Sequence, residues 1–377
     1  NRKDVFHLQA KKVFNSMAPY TPGKQIEDVK KEYGLTKIVK LASNENPFGY
    51  SEKVKEAIPT MLDHLEIYPD GNATLLREKL SSHLNVSEDQ LIFGCGSDEI
   101  VEIISRTYLE EGTNTITAWP TFPQYRHCAK IEGAEVKEVP LLANGEHDLT
   151  NMLSQIDENT RVIWLCSPNN PTGNLIERDE LESFLKNCPK HILVVVDEAY
   201  YEYIDKGRNP NTIQLLDRFT NLIILRTFSK AYGLANLRVG YGVASREIAT
   251  LLNITRGPFN TTTISQLSAI HALEDQNFID HSYQMNLANK ASFRSDMEEL
   301  GLTCYDSEAN FLFVKLPTSG DQLFEYLLSK GFIVRSGEAL GHANGVRITI
   351  GTKEQMNELR ALIKEYFISN NVLSSKS

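Results

Sequence analysis

Three short and wholly apolar stretches, Val162–Leu165, Ile192–Val196 and Leu222–Leu225, recur about thirty residues apart, which is the repeat of a strand, a crossover helix and the next strand. They are rich in β-branched residues and lack the alternation of a sheet with one wet face. The pattern therefore predicts parallel strands covered on both sides by helices. Earlier runs at Leu91–Phe93 and Thr115–Ala118 fit the same sheet. Farther on the pattern changes: Ser282–Leu300 has helical spacing and stops at Gly301, Phe311–Val314 reads as a strand, and Gln322–Lys330 as a helix closed by Gly331. Val346–Ile350 is another expected strand and Glu354–Phe367 a last amphipathic helix. The chain before about residue 45 shows no core of its own and is placed with this C-terminal unit. The expected organisation is α/β: a large domain over 46–275 on a mostly parallel central sheet, and a smaller, discontinuous α+β domain made of 1–45 and 276–377, ending in a polar tail from Asn370 to Ser377.

Composition narrows the function classes. The 377 residues and 41% hydrophobic content are enough for a substantial core. A net charge of −10 argues against a nucleic-acid binder, which needs surplus Lys and Arg to meet phosphates, yet it permits a local cationic pocket. The apolar runs fall far short of the roughly 18 to 20 residues that cross a bilayer, and the first twenty residues lack the apolar region of a secretory signal. Asn-x-Ser/Thr triplets such as those at Asn72 and Asn260 are therefore read as chance. Five scattered cysteines, without a C-x-x-C pair, read as reduced thiols of a cytoplasmic protein.

Several chemistries lose their support at once. No P-loop, complete G-x-G-x-x-G or G-x-S-x-G motif occurs, and the nine histidines never fall at metal-ligand spacing. What remains lies just past the three apolar strands, where open α/β sheets bind ligands. The first runs into Ser167-Pro168-Asn169-Asn170-Pro171-Thr172-Gly173, the second ends at Asp197-Glu198-Ala199-Tyr200, and the third leads into Arg226-Thr227-Phe228-Ser229-Lys230, with Arg238 eight residues on. Turn residues and a lone Lys are ordinary surface features. A carboxylate at the end of a buried strand is not, because it needs a cation or donor to meet it. An amide, a carboxylate with a phenol, and a lysine among hydroxyls thus converge on one crevice.

Taken as a set, Asn170-Pro171-Thr172-Gly173, Asp197 with Tyr200, Ser229-Lys230 and Arg238 resemble, in order and spacing, the motifs of fold-type I pyridoxal phosphate (PLP) enzymes of the aspartate aminotransferase superfamily. The resemblance covers nearly the whole chain. It implies that Lys230 carries the cofactor and later shuttles the substrate proton, that Asp197 pairs with the pyridine nitrogen, and that Asn170 and Tyr200 hydrogen-bond the ring oxygen. It further implies that Phe122 stacks on the ring, that Gly96, Ser97, Thr227, Ser229 and Arg238 hold the phosphate, and that Tyr68 reaches the phosphate of a neighbouring subunit in a homodimer with shared sites. Gly94-Cys95-Gly96-Ser97-Asp98 precedes the helix-like Glu99–Ile104, where free backbone N–H groups favour phosphate. Asp98, being negative, is assigned to capping that helix or to the surrounding hydrogen bonds.

Within the superfamily the chain is most similar to the histidinol-phosphate aminotransferases, through Pro19-Tyr20, Ser43-Asn44-Glu45-Asn46-Pro47, Tyr68-Pro69-Asp70-Gly71 and the paired Arg335 and Arg347. That likeness implies amino transfer between L-histidinol phosphate and 2-oxoglutarate in histidine biosynthesis, with Arg335 and Arg347 meeting the substrate anions and Tyr20 and Asn44 lining the same pocket. Either arginine also has a plainer reading, as half of a structural salt bridge. Three other functions stay open on the residues alone: an aromatic amino acid transaminase, a PLP-dependent decarboxylase of a phosphorylated amino acid, and a non-catalytic binding protein on the same framework.

Overall fold

The computed structural model describes residues 8–370; the end of the expected polar tail, 371–377, lies outside the described residues. In chain order the first strands are β1 (Val39–Lys40), β2 (Leu91–Gly94), β3 (Asn114–Trp119), β4 (Glu135–Pro140), β5 (Thr160–Cys166), β6 (Leu193–Asp197), β7 (Leu222–Thr227) and β8 (Gly240–Ala244). They are followed by β9 (Thr303–Cys304), β10 (Phe311–Lys315), β11 (Phe332–Ile333), β12 (Arg335–Ser336) and β13 (Gly345–Thr349). Seven strands form one sheet in the order β2-β8-β7-β6-β5-β3-β4. Within it β8 alone runs against its neighbours β2 and β7, so the sheet is mostly parallel.

The apolar runs are continuous because both faces of this sheet are covered. Along β6, Val194 and Val196 join one core with Ile163, Leu165 and Ile224, while Leu193 and Val195 join another with Trp164, Ile223 and Leu225. Each fully buried Val or Leu contributes on the order of 1.5 to 3 kcal/mol. The alternation that feeds two cores also sends consecutive residues at the strand ends to opposite faces.

Two strands escape the hydrophobic pattern. The edge strand β4 reads Glu-Val-Lys-Glu-Val-Pro and is mostly solvated, as edges protected by charge are. In β8 the glycines dilute the signal, and at Gly240 a Cβ would stand 2.5 Å from the backbone nitrogen of Ser97. Here the strand passes too close to the neighbouring helix for any side chain.

A second, smaller unit contains the antiparallel sheet β12-β13-β10-β9, covered by helices Gln276–Glu299, Gly320–Ser329 and Lys353–Ser369. The first of these starts six residues before the expected Ser282, because the Asp275 carboxylate caps it at Phe278 N. The N-terminal segment packs here: β1 pairs in parallel with β11, and Val29 and Ala42 lie buried against Leu328 and Ile333. None of the five cysteines is paired. Among the described residues no helix is long and apolar enough to cross a membrane.

Candidate active site

Because β5, β6 and β7 are parallel neighbours, their carboxyl ends lie side by side. There they open on a cavity of about 590 Å³ between the large sheet and the smaller unit. The cavity takes in every residue expected to contact cofactor or substrate except Tyr68. Tyr68 is 77% exposed and stacks on Phe259, with ring centres 4.8 Å apart.

Asp197, the last residue of β6, is buried. One carboxylate oxygen accepts the Tyr125 hydroxyl at 2.6 Å, while the other, Oδ1, has no partner. Burial pushes its pKa up to about 6, against the pull of the Tyr125 hydrogen bond. Tyr125 was missed by the sequence reading. It is held by stacking on Trp164 at 4.9 Å and lies three residues beyond Phe122, against which it packs edge-on at 5.4 Å. Phe122 precedes the helix Gln124–Ile131 that carries Tyr125, so no helical periodicity linked the two.

Lys230 reaches back into the cavity and donates to the Ser43 carbonyl at 3.1 Å. Burial lowers its pKa to about 8, helped by the positive charges of Arg347 and Arg238 and opposed by Asp98 and Glu45. Such an amine can both give and take a proton near neutral pH. The Tyr200 hydroxyl accepts from Asn44 Nδ2 at 2.9 Å, and burial raises its pKa. Asn44 is itself fixed by Thr349, whose hydroxyl donates to Asn44 Oδ1 at 2.9 Å, and by Asn310, whose amide donates to the Asn44 carbonyl at 2.8 Å. These two supports come from the distant strand β13 and the residue before β10, so no local motif pointed to them.

An anion cup forms at the other end of the cavity. The helix starts at Gly96, earlier than expected, and runs to Tyr108 with its apolar face buried. Its first backbone N–H groups are free for a ligand. Gly96 has φ +71°, and a Cβ there would stand 2.7 Å from Arg238 Nη2. Arg238 also donates to Ser229 Oγ at 3.3 Å. Asp98 does not cap the helix, since Cys95 occupies that position; from the first turn Asp98 faces Arg238 at 3.6 Å.

The cavity suits the cofactor that the motifs imply. The unpartnered Asp197 Oδ1 is a buried acceptor awaiting a cationic N–H, as a protonated pyridine nitrogen provides. The cup of Gly96, Ser97, Thr227, Ser229 and Arg238 suits a phosphate, and Phe122 lines the same cavity.

Arg335 and Arg347 are direct cross-strand partners of β12 and β13, and both line the cavity. Arg347 donates to Asn170 Oδ1 and to the Ala42 carbonyl, both at 2.6 Å, and its Nε has no partner. Burial lowers its pKa to about 10, and the charge of Arg335 adds to the shift. Among the described residues no carboxylate pairs with either arginine, which removes the salt-bridge reading. Tyr20 lines the mouth of the same cavity.

Residues 36–363 match the family described as aminotransferase class I and II. The chain is 54% identical to the histidinol-phosphate aminotransferase of Geobacillus sp. (strain WCH70) over 362 residues, covering 95% of this chain and 99% of that one. It is 53% identical to the histidinol-phosphate aminotransferase of Bacillus subtilis (strain 168) over 358 residues, covering 95% and 99%. Among solved structures it resembles the histidinol-phosphate aminotransferase from Sinorhizobium meliloti in complex with pyridoxal-5'-phosphate. The TM-score is 0.88 at 26% identity, covering 97% of this chain and 99% of the other.

Proposed function

The chain belongs to the class I and II aminotransferases, and from that membership and the charges of the cleft we infer its reaction. It is a PLP-dependent aminotransferase of the α/β fold type I that interconverts L-histidinol phosphate and 2-oxoglutarate with imidazole acetol phosphate and L-glutamate, a step of histidine biosynthesis. The observation that carries this reading is the pairing of Arg335 and Arg347 without a protein anion, in the same cavity as the Lys230 amine.

When bound, PLP supplies an aldehyde that takes up the substrate's amino group and a ring that withdraws electrons from the substrate carbon. In our assignment Lys230 would hold it, and the free Nζ would move the proton to and from that carbon. Its lowered pKa keeps a useful share of Nζ unprotonated at neutral pH. Asp197 keeps the ring nitrogen protonated through Oδ1, with Tyr125 holding the other oxygen. Tyr200 and Asn170 donate to the ring oxygen: Asn44 supplies the bond that Tyr200 accepts, and Arg347 occupies Asn170 Oδ1, which turns the Asn170 amide N–H₂ into the remaining polar group. Phe122 fixes the ring plane, and Gly96, Ser97, Thr227, Ser229 and Arg238 hold the phosphate. Arg335 and Arg347, with Tyr20 and Asn44, bind the substrate phosphate in one half-reaction and the carboxylates of glutamate in the other.

We further assign residues 46–275 and 1–45 with 276–377 to the two domains, and place the enzyme in the cytoplasm as a homodimer. The exposed Leu65, Ile67, Tyr68 and Phe259 form an apolar surface suited to a second copy, with Tyr68 completing the partner's phosphate site. The test is a half-reaction. Histidinol phosphate added to the purified PLP form should abolish the bound cofactor's visible absorbance, and 2-oxoglutarate should restore it with release of glutamate. Absence of the change, or a restored absorbance without release of glutamate, would refute the assignment.

A further inference from the structure

Each residue that faces the cofactor at the ends of β6 and β7 has a charged neighbour facing the other way. Asp197 and Thr227 close these strands on the face shared with Tyr125, so alternation turns Glu198 and Arg226 to the opposite face. There Arg226 Nε meets Glu198 Oε2 at 3.0 Å, with the two side chains only 4% and 1% exposed. Glu198 Oε1 accepts the Thr212 hydroxyl at 2.5 Å, and the Arg226 guanidinium lies 3.4 Å from the centre of the Tyr201 ring. The backbone joins the same strands, as Glu198 N donates to the Leu225 carbonyl at 2.8 Å.

Stability alone is a poor reason for such a pair, because a buried ion pair seldom outperforms apolar residues of equal volume. Its place in the fold supplies another reason. We propose that the Arg226–Glu198 pair is a positioning device that ties the carboxyl ends of β6 and β7 together, so that Asp197 and the Thr227–Lys230 turn meet the cofactor at a fixed spacing. The proposal rests on the PLP reading above. The electrostatics agree: the negative charge of Glu198 pushes the Asp197 pKa upward, and Arg226, which also faces Tyr241, Tyr201 and Glu202, offsets that field. The pair thus steadies both the position and the charge of the carboxylate that faces the ring nitrogen.

The test replaces both charges by groups of similar volume, Arg226→Met with Glu198→Gln. Three quantities are measured beside the parent chain: the unfolding midpoint of the cofactor-free protein, the dissociation constant for PLP, and the pH midpoint of the bound cofactor's absorbance. A positioning role leaves the unfolding midpoint near the parental value, weakens PLP binding by about tenfold or more and moves the pH midpoint. Parental affinity and an unmoved pH midpoint overturn the proposal, whatever the change in stability. If the double variant does not fold, Arg226→Lys decides: loosened PLP with a shifted pH midpoint supports positioning, while lost stability with both unmoved overturns it. A parent chain that takes up no PLP would overturn the functional reading as well, so the two failures are distinguishable.

Discussion

Replacing Arg335 by Gln separates a substrate clamp from a structural arginine, because the two roles predict opposite signs for stability. In the free enzyme Arg335 stands directly across from Arg347, and neutral groups alone hold the latter. Like charges opposite each other on neighbouring strands cost on the order of 0.2 to 1 kcal/mol. Arg335→Gln should therefore leave the unfolding free energy unchanged or raise it by up to about 1 kcal/mol. The substrate complex shows the reverse. One charge-assisted contact is worth about 1.5 to 3 kcal/mol, so kcat/KM for histidinol phosphate should fall about ten- to a hundredfold. Dephosphorylated histidinol, which never makes the contact, serves as the internal control and should lose little. The assay is glutamate release from 2-oxoglutarate with each donor, alongside urea unfolding of the same preparations. Equal losses with both donors, or a destabilisation of more than about 1 kcal/mol, would refute the clamp. A parent enzyme that prefers phenylalanine or tyrosine to histidinol phosphate would make it an aromatic transaminase.

Borohydride reduction of the PLP form followed by peptide mapping should place the pyridoxyl group on Lys230, and Lys230→Ala should lose turnover; label elsewhere with an active variant contradicts the assignment. Gly96→Ala puts a methyl group against Arg238 at a positive φ, a backbone cost of about 1 to 2 kcal/mol before the guanidinium moves, so PLP affinity should drop about tenfold or more by equilibrium dialysis. Inactive Tyr68→Ala and Lys230→Ala subunits, mixed and allowed to exchange, should regain part of the parental activity in hybrid dimers; exchange without recovery counts against shared sites. In the cofactor-free chain Asp197 has its folded pKa raised to about 6 from 3.8, so the stability it contributes is complete below about pH 4 and lost as pH rises through 6, a change of about 3 kcal/mol. Asp197→Asn should lack this loss in urea titrations at pH 4 and 7, and an unchanged pH dependence would show the carboxylate to be better solvated than its burial indicates.

The sheet was legible where both faces are buried, because such strands are apolar throughout: β5, β6 and β7 fall within two residues of the expected stretches. The strands β4 and β8 were not. One is an edge whose charges resemble a loop, and the other contains glycines demanded by a close backbone contact that no local pattern records. The site followed the same division. Residues grouped in short motifs at strand ends stood out, whereas Tyr125, Asn310 and Thr349 support Asp197 and Asn44 as single side chains from elsewhere in the chain. Of the two roles expected for Asp98, capping failed because it depended on where the helix begins, and that start moved back to Gly96; Asp98 instead faces Arg238 among the surrounding polar groups.

A clamp that serves two half-reactions must hold a phosphate at one time and carboxylates at another, and release each. If Arg347 were oriented by a protein carboxylate, every incoming anion would have to compete with a fixed charge at the same guanidinium, and every departing one would leave a pair re-forming behind it. The structure orients it instead with an amide oxygen and a backbone carbonyl, Asn170 Oδ1 and Ala42 O. These neutral acceptors fix the direction of the guanidinium plane while leaving its charge unneutralised. Arg335, placed opposite by strand register, raises the local positive potential without closing the site. The chain as a whole carries a charge of −10, so the paired arginines form a local cationic site on an acidic protein, in the cavity where Lys230 can act on a bound anion. Added salt should accordingly weaken substrate binding more than cofactor binding, because the substrate anion meets the partly open mouth near Tyr20 while the phosphate cup also uses backbone N–H groups at the helix start.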